Sequence, residues 1–243
     1  MKAVILAAGV ASRLRPLTNN TPKCLLKVGN KSILERTIDN LVKNNIDKIV
    51  VVTGFLHKMI EDFLTQKYPK LNFNFIYNEK YDSTNNIYSL WLAKSGMIGN
   101  EMLLMDSDII FDSRIIEQLI SSKYENNLAL RFIDNLSEEE IKCLLNSNGS
   151  IKAIGKLINP HEAVGESIGI EKFSKEFVFH LYEILDRKIL DKKEVNIFYE
   201  AAFQDAINSG AQIFPVDVKD FKCMEIDTVE DFDTAALVVK YLY

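Results

Sequence analysis

Two cationic side chains, Arg13 and Lys23, stand at a spacing that suits phosphate binding. They follow an apolar stretch, Ala3–Ala8, and a turn at Gly9, in a segment that reads LAAGVASRLRPLTNNTPKCL from Leu6. A strand that ends in a loop of small residues leaves backbone N–H groups that can form an anion-binding nest. Guanidinium and ammonium groups add donors that match phosphate oxygens. The GxxxxGK[ST] and GxGxxG spacings are missing, so we predict a phosphate-binding loop of another kind, with an ordinary buried strand and turn as the alternative.

Two aspartates, Asp106 and Asp108, directly follow an apolar segment in LLMDSDIIF. At a strand end this spacing can turn both carboxylates toward one loop region, and such oxygen ligands suit Mg²⁺. A solvated acidic turn, or Asp106 as a helix cap, explains the pair as well. A third carboxylate, Asp227, stands in MEIDTVEDF. It can cap the last helix, although Thr228 fills that position equally well, so the residues alone leave the interpretations open.

Amide and hydroxyl side chains gather at the start of a helical segment in STNNIYSLWLAKS. Asn85, Asn86 and Ser89 offer groups that can read the edge of a pyrimidine base. The same residue types often cap helices, here the segment Ile87–Ser95. Either role puts these side chains at the beginning of a helix.

Strand-like and helix-like segments alternate through the first half of the chain. The predicted strands are Ala3–Ala8, Lys48–Thr53, Asn72–Tyr77, Glu101–Met105 and Asn127–Ile133. The predicted helices are Ser32–Asn44, Leu56–Lys67, Asn86–Ser95 and Ser113–Ser122. Such alternation implies parallel strands with helices on both faces, and ligands in such sheets bind at the carboxyl ends of the strands. Gly9 and Asp106 both follow strand ends, so we expect the topology to bring them together.

The second half has a different pattern. Ile141–Leu145 and Ile151–Ile154 flank Asn148-Gly149 and predict a β-hairpin, whereas Ser137 with Glu140 predicts a capped helix as the alternative. The remaining predicted elements are the strand Glu166–Lys172, the helices Ser174–Leu190 and Asn196–Ser209, the strands Ala211–Val216 and Phe221–Ile226, and a helix from Val229. Because no linker or repeat interrupts the pattern, we predict a single α/β domain over residues 1–243.

Composition excludes several classes of protein. The 243 residues are 47% hydrophobic and 26% charged, which is typical of a globular domain. A net charge of −5 gives no support to a nucleic-acid surface. No segment is long enough to span a bilayer, and the apolar start is too short for a convincing signal peptide. The 3 isolated cysteines lack metal and disulfide spacing, so we expect a reducing cytoplasm.

The N-terminal segment resembles the signature loop of the nucleotidyltransferases, whose pattern is roughly AAGxG[ST]RLxPxTxxxPKxL. Ala11 departs from it where a second glycine is usual, and we expect a tighter backbone there with function retained. The resemblance implies a GT-A-like fold, with a Rossmann-like, mixed and mainly parallel sheet, flanking helices and a small β-hairpin insertion. It implies nucleotide binding by Leu6, Ala8, Gly9, Ala11, Ser12, Asn85, Asn86, Ser89 and Asp106. It implies Mg²⁺ on Asp108 and Asp227, and catalytic roles for Arg13, Lys23 and Lys156. Lys156, in IGKLINP, resembles the lysine that meets the acceptor phosphate, although a solubilising surface charge is the alternative.

The run NNIYSLWLA is similar to the NNxYSL run of the choline-phosphate cytidylyltransferase branch. This resemblance implies CTP and a small phosphorylated amino alcohol as substrates, with phosphocholine first. Phe198, Tyr199 and Glu200 stand where that branch has aromatic residues beside a carboxylate, which suits a quaternary ammonium. Glu166 offers a further anionic group, and two carboxylates also suit the primary ammonium of phosphoethanolamine or 2-aminoethylphosphonate. A sugar 1-phosphate acceptor, a non-catalytic nucleotide sensor and the oligomeric state stay open.

Overall fold

The computed structural model describes residues 1–239, in which strands and helices alternate through the first half. The strands are β1 (Lys2–Ala7), β2 (Lys27–Val28), β3 (Lys31–Ser32), β4 (Lys48–Thr53), β5 (Asn72–Tyr77), β6 (Met102–Asp106), β7 (Ile109–Phe111), β8 (Asn127–Phe132), β9 (Lys142–Leu145), β10 (Ile151–Gly155), β11 (Gly165–Phe173), β12 (Phe214–Asp217) and β13 (Cys223–Glu225). The α-helices are α1 (Ile33–Lys43), α2 (His57–Lys67), α3 (Asn86–Leu92), α4 (Lys94–Met97), α5 (Arg114–Ser121), α6 (Lys175–Asp186), α7 (Glu200–Asn208) and α8 (Val229–Val238). Short 3₁₀ turns lie at Ser12–Leu14 and Lys23–Leu25.

Within residues 1–239, nine strands form one mixed sheet. β5, β4, β1 and β6 lie side by side and run parallel. β11 then pairs antiparallel with β6, and it connects the parallel strands to β9 and β10 and to β8 and β12. The sheet is therefore the Rossmann-like, mixed and mainly parallel sheet that the family resemblance implied. Because β6 lies between the two groups of strands, its end stands near the middle of the sheet.

Two apolar layers cover the sheet, one on each face. Successive side chains of a strand point to opposite faces. Val4 and Leu6 of β1 therefore join one core cluster, and Ala3, Ile5 and Ala7 join the other. Helices α3, α6 and α7 cover the first face, and α1, α2 and α5 cover the second. Burial on both faces explains why β1 reads as a continuous apolar run instead of an alternating one.

The predicted hairpin is confirmed. β9 and β10 pair antiparallel around a turn in which the Gly149 N–H donates to the Asn146 carbonyl at 2.9 Å. Ser137 Oγ does donate to Glu140 Oε2 at 2.6 Å, but no helix follows this contact, so the capped-helix alternative is wrong. Gly165 and Glu166 of β11 pair with β9, which joins the hairpin to the main sheet.

The first residues of α8 decide the role of its neighbouring aspartate. Thr228 Oγ1 accepts from the Asp231 N–H at 3.1 Å, and the Asp231 carboxylate accepts from the Thr228 N–H at 2.8 Å. This reciprocal pair is a capping box. Thr228 is therefore the N-cap of α8, and the Asp227 carboxylate does not serve this purpose.

The described residues contain no helix that is both long and apolar enough to cross a membrane. The interpretation of residues 1–243 as a single domain stays a prediction.

Candidate active site

A cleft of about 800 Å³ opens beyond the carboxyl ends of β1, β5 and β6. Most of the predicted site residues line it: Leu6, Ala8, Gly9, Ala11, Arg13, Lys23, Asn85, Asn86, Ser89, Asp106, Asp108, Lys156, Glu166, Phe198, Glu200 and Asp227. Ser12 and Tyr199 of the predicted set are not on its wall. Ser12 is exposed at the start of the first 3₁₀ turn, and Tyr199 is fully buried behind the cleft.

The loop after β1 lines the cleft with small residues, among them Gly9 and Ala11. A Cβ added at Gly9 would meet no atom of residues 1–239 within 4 Å, so packing within this part of the chain does not require glycine at this position. Ala11 adopts φ of 52°, the left-handed conformation that a glycine would take more easily. Its carbonyl accepts from Thr18 Oγ1 at 2.9 Å and from the Leu14 N–H at 3.1 Å. The two hydrogen bonds thus hold the loop in shape without the second glycine. Because Gly9 has no side chain, the backbone of the loop is accessible from the cleft at that residue.

Lys23 is bound between two carboxylates at the floor of the cleft. Its Nζ donates to Asp108 Oδ2 at 2.8 Å and to Asp227 Oδ1 at 2.7 Å. Arg13 also pairs with Asp227, through a contact of 2.5 Å between Nη2 and Oδ2. Burial acts to lower the pKa of Lys23, but the two carboxylates outweigh it and hold that pKa well above its usual range. Burial likewise acts to raise the pKa of Asp227, and Lys23 and Arg13 bring it below its usual range.

Three carboxylates of the cleft can hold a cation together. Oxygens of Asp108, Glu225 and Asp227 lie within 4.8 Å of one another. Asp108 Oδ1 is buried and has no hydrogen-bond partner among residues 1–239, as expected of an oxygen that faces a ligand. Burial, together with Asp108 and Asp227, raises the pKa of Glu225 to about 8. Three hard oxygen donors of this kind fit Mg²⁺.

Glu225 was missed by the sequence interpretation, which took only Asp227 from MEIDTVEDF. The signal was present, because residues two apart on an extended segment share a face. β13 pairs with β7, and this pairing brings Glu225 opposite Ile109, next to Asp108.

The polar residues at the start of α3 have structural partners. Asn85 caps the helix, and its Oδ1 accepts from the Asn86 N–H at 2.7 Å. Asn86 Oδ1 accepts from the Tyr199 N–H at 2.9 Å, and the buried Ser89 Oγ accepts from Asn78 Nδ2 at 3.2 Å. Capping therefore explains Asn85, while the recognition of a base by these three residues stays a prediction.

Two ion pairs lie on a second wall of the cleft, which is built from residues that follow β7 in the chain. Lys156 Nζ lies 3.4 Å from Glu139 Oε2, and 4.9 Å from the centroid of the Phe198 ring. Glu166 pairs with Arg131 at 2.5 Å across the β8–β11 ladder. Burial raises the pKa of Glu166, although Arg131 acts against this. This wall therefore presents both signs of charge.

Phe198, Tyr199 and Glu200 face different surroundings although they are consecutive. Phe198 is 40% exposed and Glu200 lines the cleft, whereas Tyr199 is 0% exposed and donates from Oη to Asp106 Oδ2 at 3.0 Å. Burial raises the pKa of Glu200 to about 7, and burial together with Asp108 raises that of Asp106. The three residues thus do not form one aromatic and anionic wall.

The fold and this cleft define a nucleotidyltransferase. The sequence profile described as Nucleotidyl transferase matches residues 2–140, and the chain belongs to this family. A CTP:phosphoglutamine cytidylyltransferase of Campylobacter jejuni is 34% identical over 227 residues, which cover 85% of this chain and 88% of that protein. A choline-phosphate cytidylyltransferase of Streptococcus pneumoniae is 25% identical over 99% of both chains.

Solved structures agree with this assignment. The structure of the CTP:phosphocholine cytidylyltransferase from Streptococcus pneumoniae superposes with a TM-score of 0.80 at 25% identity, and 98% of each chain is covered. An inositol-1-phosphate CTP transferase from T. maritima superposes with a TM-score of 0.82 at 19% identity, which reflects the shared fold. The chain is therefore an enzyme of the nucleotidyltransferase class whose relatives include cytidylyltransferases.

Proposed function

We propose that the protein transfers the cytidylyl group of CTP to the phosphate or phosphonate of a small amino compound and releases pyrophosphate. The observation that carries this proposal is the convergence of Arg13 and Lys23 with three carboxylates in one cleft. The names of the relatives, which include CTP:phosphoglutamine and choline-phosphate cytidylyltransferases, support CTP as the donor.

Cytidylyl transfer requires the protein to position the reacting phosphates and to neutralise their negative charge. An acceptor phosphate monoester is largely dianionic at neutral pH, since its second pKa is about 6, so no general base is needed. An acceptor oxygen forms a bond to the α-phosphorus of CTP as the bond to the β-phosphate oxygen breaks. Arg13 and Lys23 would bind the triphosphate oxygens, and Lys156 would bind the acceptor phosphate. Mg²⁺ held by Asp108, Glu225 and Asp227 would supply further charge neutralisation.

The geometry favours an acceptor with N–H donors over phosphocholine, the first expectation. A trimethylammonium group has no hydrogen-bond donor and relies on aromatic faces. Lys156 lies over the Phe198 ring, and the Tyr199 ring is in the core. Glu166 and Glu200 remain on the wall, and their carboxylates can accept from a primary ammonium. We therefore propose a primary amine, of the type found in phosphoethanolamine or 2-aminoethylphosphonate.

The test is pyrophosphate release with Mg²⁺, with four nucleoside triphosphates crossed against phosphocholine, phosphoethanolamine, 2-aminoethylphosphonate, phosphoglutamine and sugar 1-phosphates. We expect release with CTP and an amino compound, at a rate at least about hundredfold lower with Asp108→Asn. Release only with UTP or dTTP and a sugar phosphate would replace the proposal with the sugar branch. Nucleotide binding without any release would favour a sensor. A preference for phosphocholine would leave cytidylyl transfer intact and refute the primary-amine assignment.

A further inference from the structure

Tyr199 occupies a position that neither catalysis nor ligand binding explains. Its side chain is fully buried, and its ring packs against Phe203 with centroids 5.2 Å apart. Its hydroxyl nevertheless points to the end of β6, where it donates to Asp106 Oδ2. A buried tyrosine hydroxyl needs a partner, but a backbone carbonyl would have served equally well. The partner here is the carboxylate of Asp106, two residues from Asp108, and the buried Glu171 carboxylate faces the same hydroxyl.

Asp106 is restrained from two sides. Tyr199 donates to Oδ2 at 3.0 Å, and the backbone of Gly169 in β11 approaches the same oxygen so closely that a Cβ there would lie 2.7 Å from it. Such a distance is far below van der Waals contact, so the approach requires glycine. The Asp106 carboxylate is thus fixed between a hydroxyl and a backbone.

Asp108 stands at the other end of the same short segment. Its carbonyl accepts from the Ile226 N–H at 3.0 Å, which holds the carboxyl-terminal end against the strand that carries Glu225. The amino-terminal end is held by the pairing of Asp106 with Leu6 of β1 and by the contacts of the Asp106 carboxylate. The two restraints together set where the Asp108 carboxylate points.

Tyr199 is itself attached to the walls of the cleft. Its N–H donates to Asn86 Oδ1 at 2.9 Å, so the first residue of α3 holds its backbone. Its neighbours Phe198 and Glu200 line the cleft, and the Phe198 ring lies beside Lys156. One residue therefore connects the start of α3, the segment that carries Asp108, and the cleft wall around Lys156 and Glu166, which we name the acceptor wall.

We propose that Tyr199 is a positioning residue, which acts through Asp106 to hold Asp108 in the geometry that cytidylyl transfer requires. The inference rests on the proposed function. It requires that loss of one hydroxyl impair turnover and cation binding more than it impairs folding.

The test compares Tyr199→Phe with Tyr182→Phe. Tyr182 is a matched control, because it is also fully buried and its Oη donates to a core carbonyl, that of Leu90, at 3.2 Å. Each substitution removes one buried hydroxyl, so we expect similar shifts in Tm. Only Tyr199→Phe should lower kcat, by about tenfold, with the KM for CTP within about twofold, because small displacements of a reacting group reduce rates steeply.

Binding of Mn²⁺ in the presence of CTP, followed by electron paramagnetic resonance, gives a readout separate from turnover. We expect the Kd for Mn²⁺ to rise at least about threefold in Tyr199→Phe and to stay unchanged in Tyr182→Phe, since outer-shell changes of this kind reduce metal affinity or activity by about 10- to 100-fold in other proteins. Gly169→Ala displaces Asp106 from the other side and should give the same two effects, which keeps the test available if Tyr199→Phe does not fold.

The outcomes separate the two proposals. If the unaltered protein transfers no cytidylyl group, the proposed function fails and the inference fails with it. If the unaltered protein is active and Tyr199→Phe keeps its kcat and Mn²⁺ affinity, only the inference fails. Equal losses in Tyr182→Phe would also overturn it, because they would show a general effect of core stability.

Discussion

Replacing Gly9 by alanine should separate folding from nucleotide binding. The added methyl group would meet no protein atom within 4 Å, and Gly9 has no positive φ, so the folded state should accept it. Alanine also restricts the unfolded chain, which stabilises by about 0.4–1 kcal/mol. For a protein of this size, 1 kcal/mol corresponds to about 2–4 °C in Tm. The expected Tm is therefore equal to that of the unaltered protein or up to about 4 °C higher.

The effect on CTP should have the opposite sign. Gly9 lines the cleft between β1 and Arg13, where the proposed triphosphate would approach the backbone. A methyl group there would separate phosphate oxygens from at least one N–H donor. Hydrogen bonds to charged groups contribute about 1.5–3 kcal/mol, so we expect the Kd for CTP to rise by about 10- to 150-fold. Calorimetric titration with CTP and a thermal melt of the same sample measure both quantities.

Gly99→Ala is the control, because it should lower the stability of the protein and leave CTP binding unchanged. Gly99 lies outside the cleft and has φ of 79°, so alanine should cost about 1–2 kcal/mol in backbone strain without affecting CTP. If Gly9→Ala folds and binds CTP within twofold of the unaltered protein, the loop does not approach the nucleotide. A fall in its Tm by several degrees would show that the steric argument is wrong.

Three other substitutions address the carboxylates and the acceptor wall. Asp108→Asn should reduce kcat by about hundredfold or more, while Tm stays within about 4 °C, because the change keeps the shape of the side chain; thermal melts and pyrophosphate release test this. Lys156→Met should raise the KM for the acceptor by about tenfold and leave the KM for CTP unchanged, and an unchanged acceptor KM would remove Lys156 from the site. Burial raises the pKa of Glu200 to about 7, so the folded protein binds this proton more tightly than the unfolded chain does. The contribution of this proton to the free energy of unfolding is therefore complete below the ordinary pKa of 4.5 and is lost as the pH rises toward 7. The Tm of Glu200→Gln should rise relative to that of the unaltered protein between about pH 5 and pH 8. A Tm difference that does not change with pH would contradict the assignment.

The sequence was sufficient for the architecture because its local patterns agree with the tertiary structure. The predicted strands Lys48–Thr53 and Asn72–Tyr77 have the bounds of β4 and β5, and the helix from Val229 begins where α8 begins. The continuous apolar run of β1 indicated burial on both faces. Hairpin formation was harder to predict, because Ser137 and Glu140 make the contact that a helix start would make.

The site was less predictable because side-chain direction depends on long-range packing. Nothing in the order Phe198-Tyr199-Glu200 shows that the middle ring enters the core while its neighbours line the cleft. The ion pair of Arg131 with Glu166 depends on the register between β8 and β11, which short-range patterns do not specify. Glu225 differs, since its alternation with Asp227 was readable in the sequence.

The sheet order has a consequence for descent. Apart from Glu225 and Asp227, the residues proposed to hold the nucleotide precede β7, whereas the acceptor wall is built from β8 onward, on the other side of β6. Mutations that change the acceptor wall need not disturb the residues that precede β7, because separate stretches of the chain encode the two. A lineage with this architecture can therefore exchange one acceptor for another through changes at wall residues such as Lys156 and Glu166, while it keeps Glu225, Asp227 and the donor chemistry.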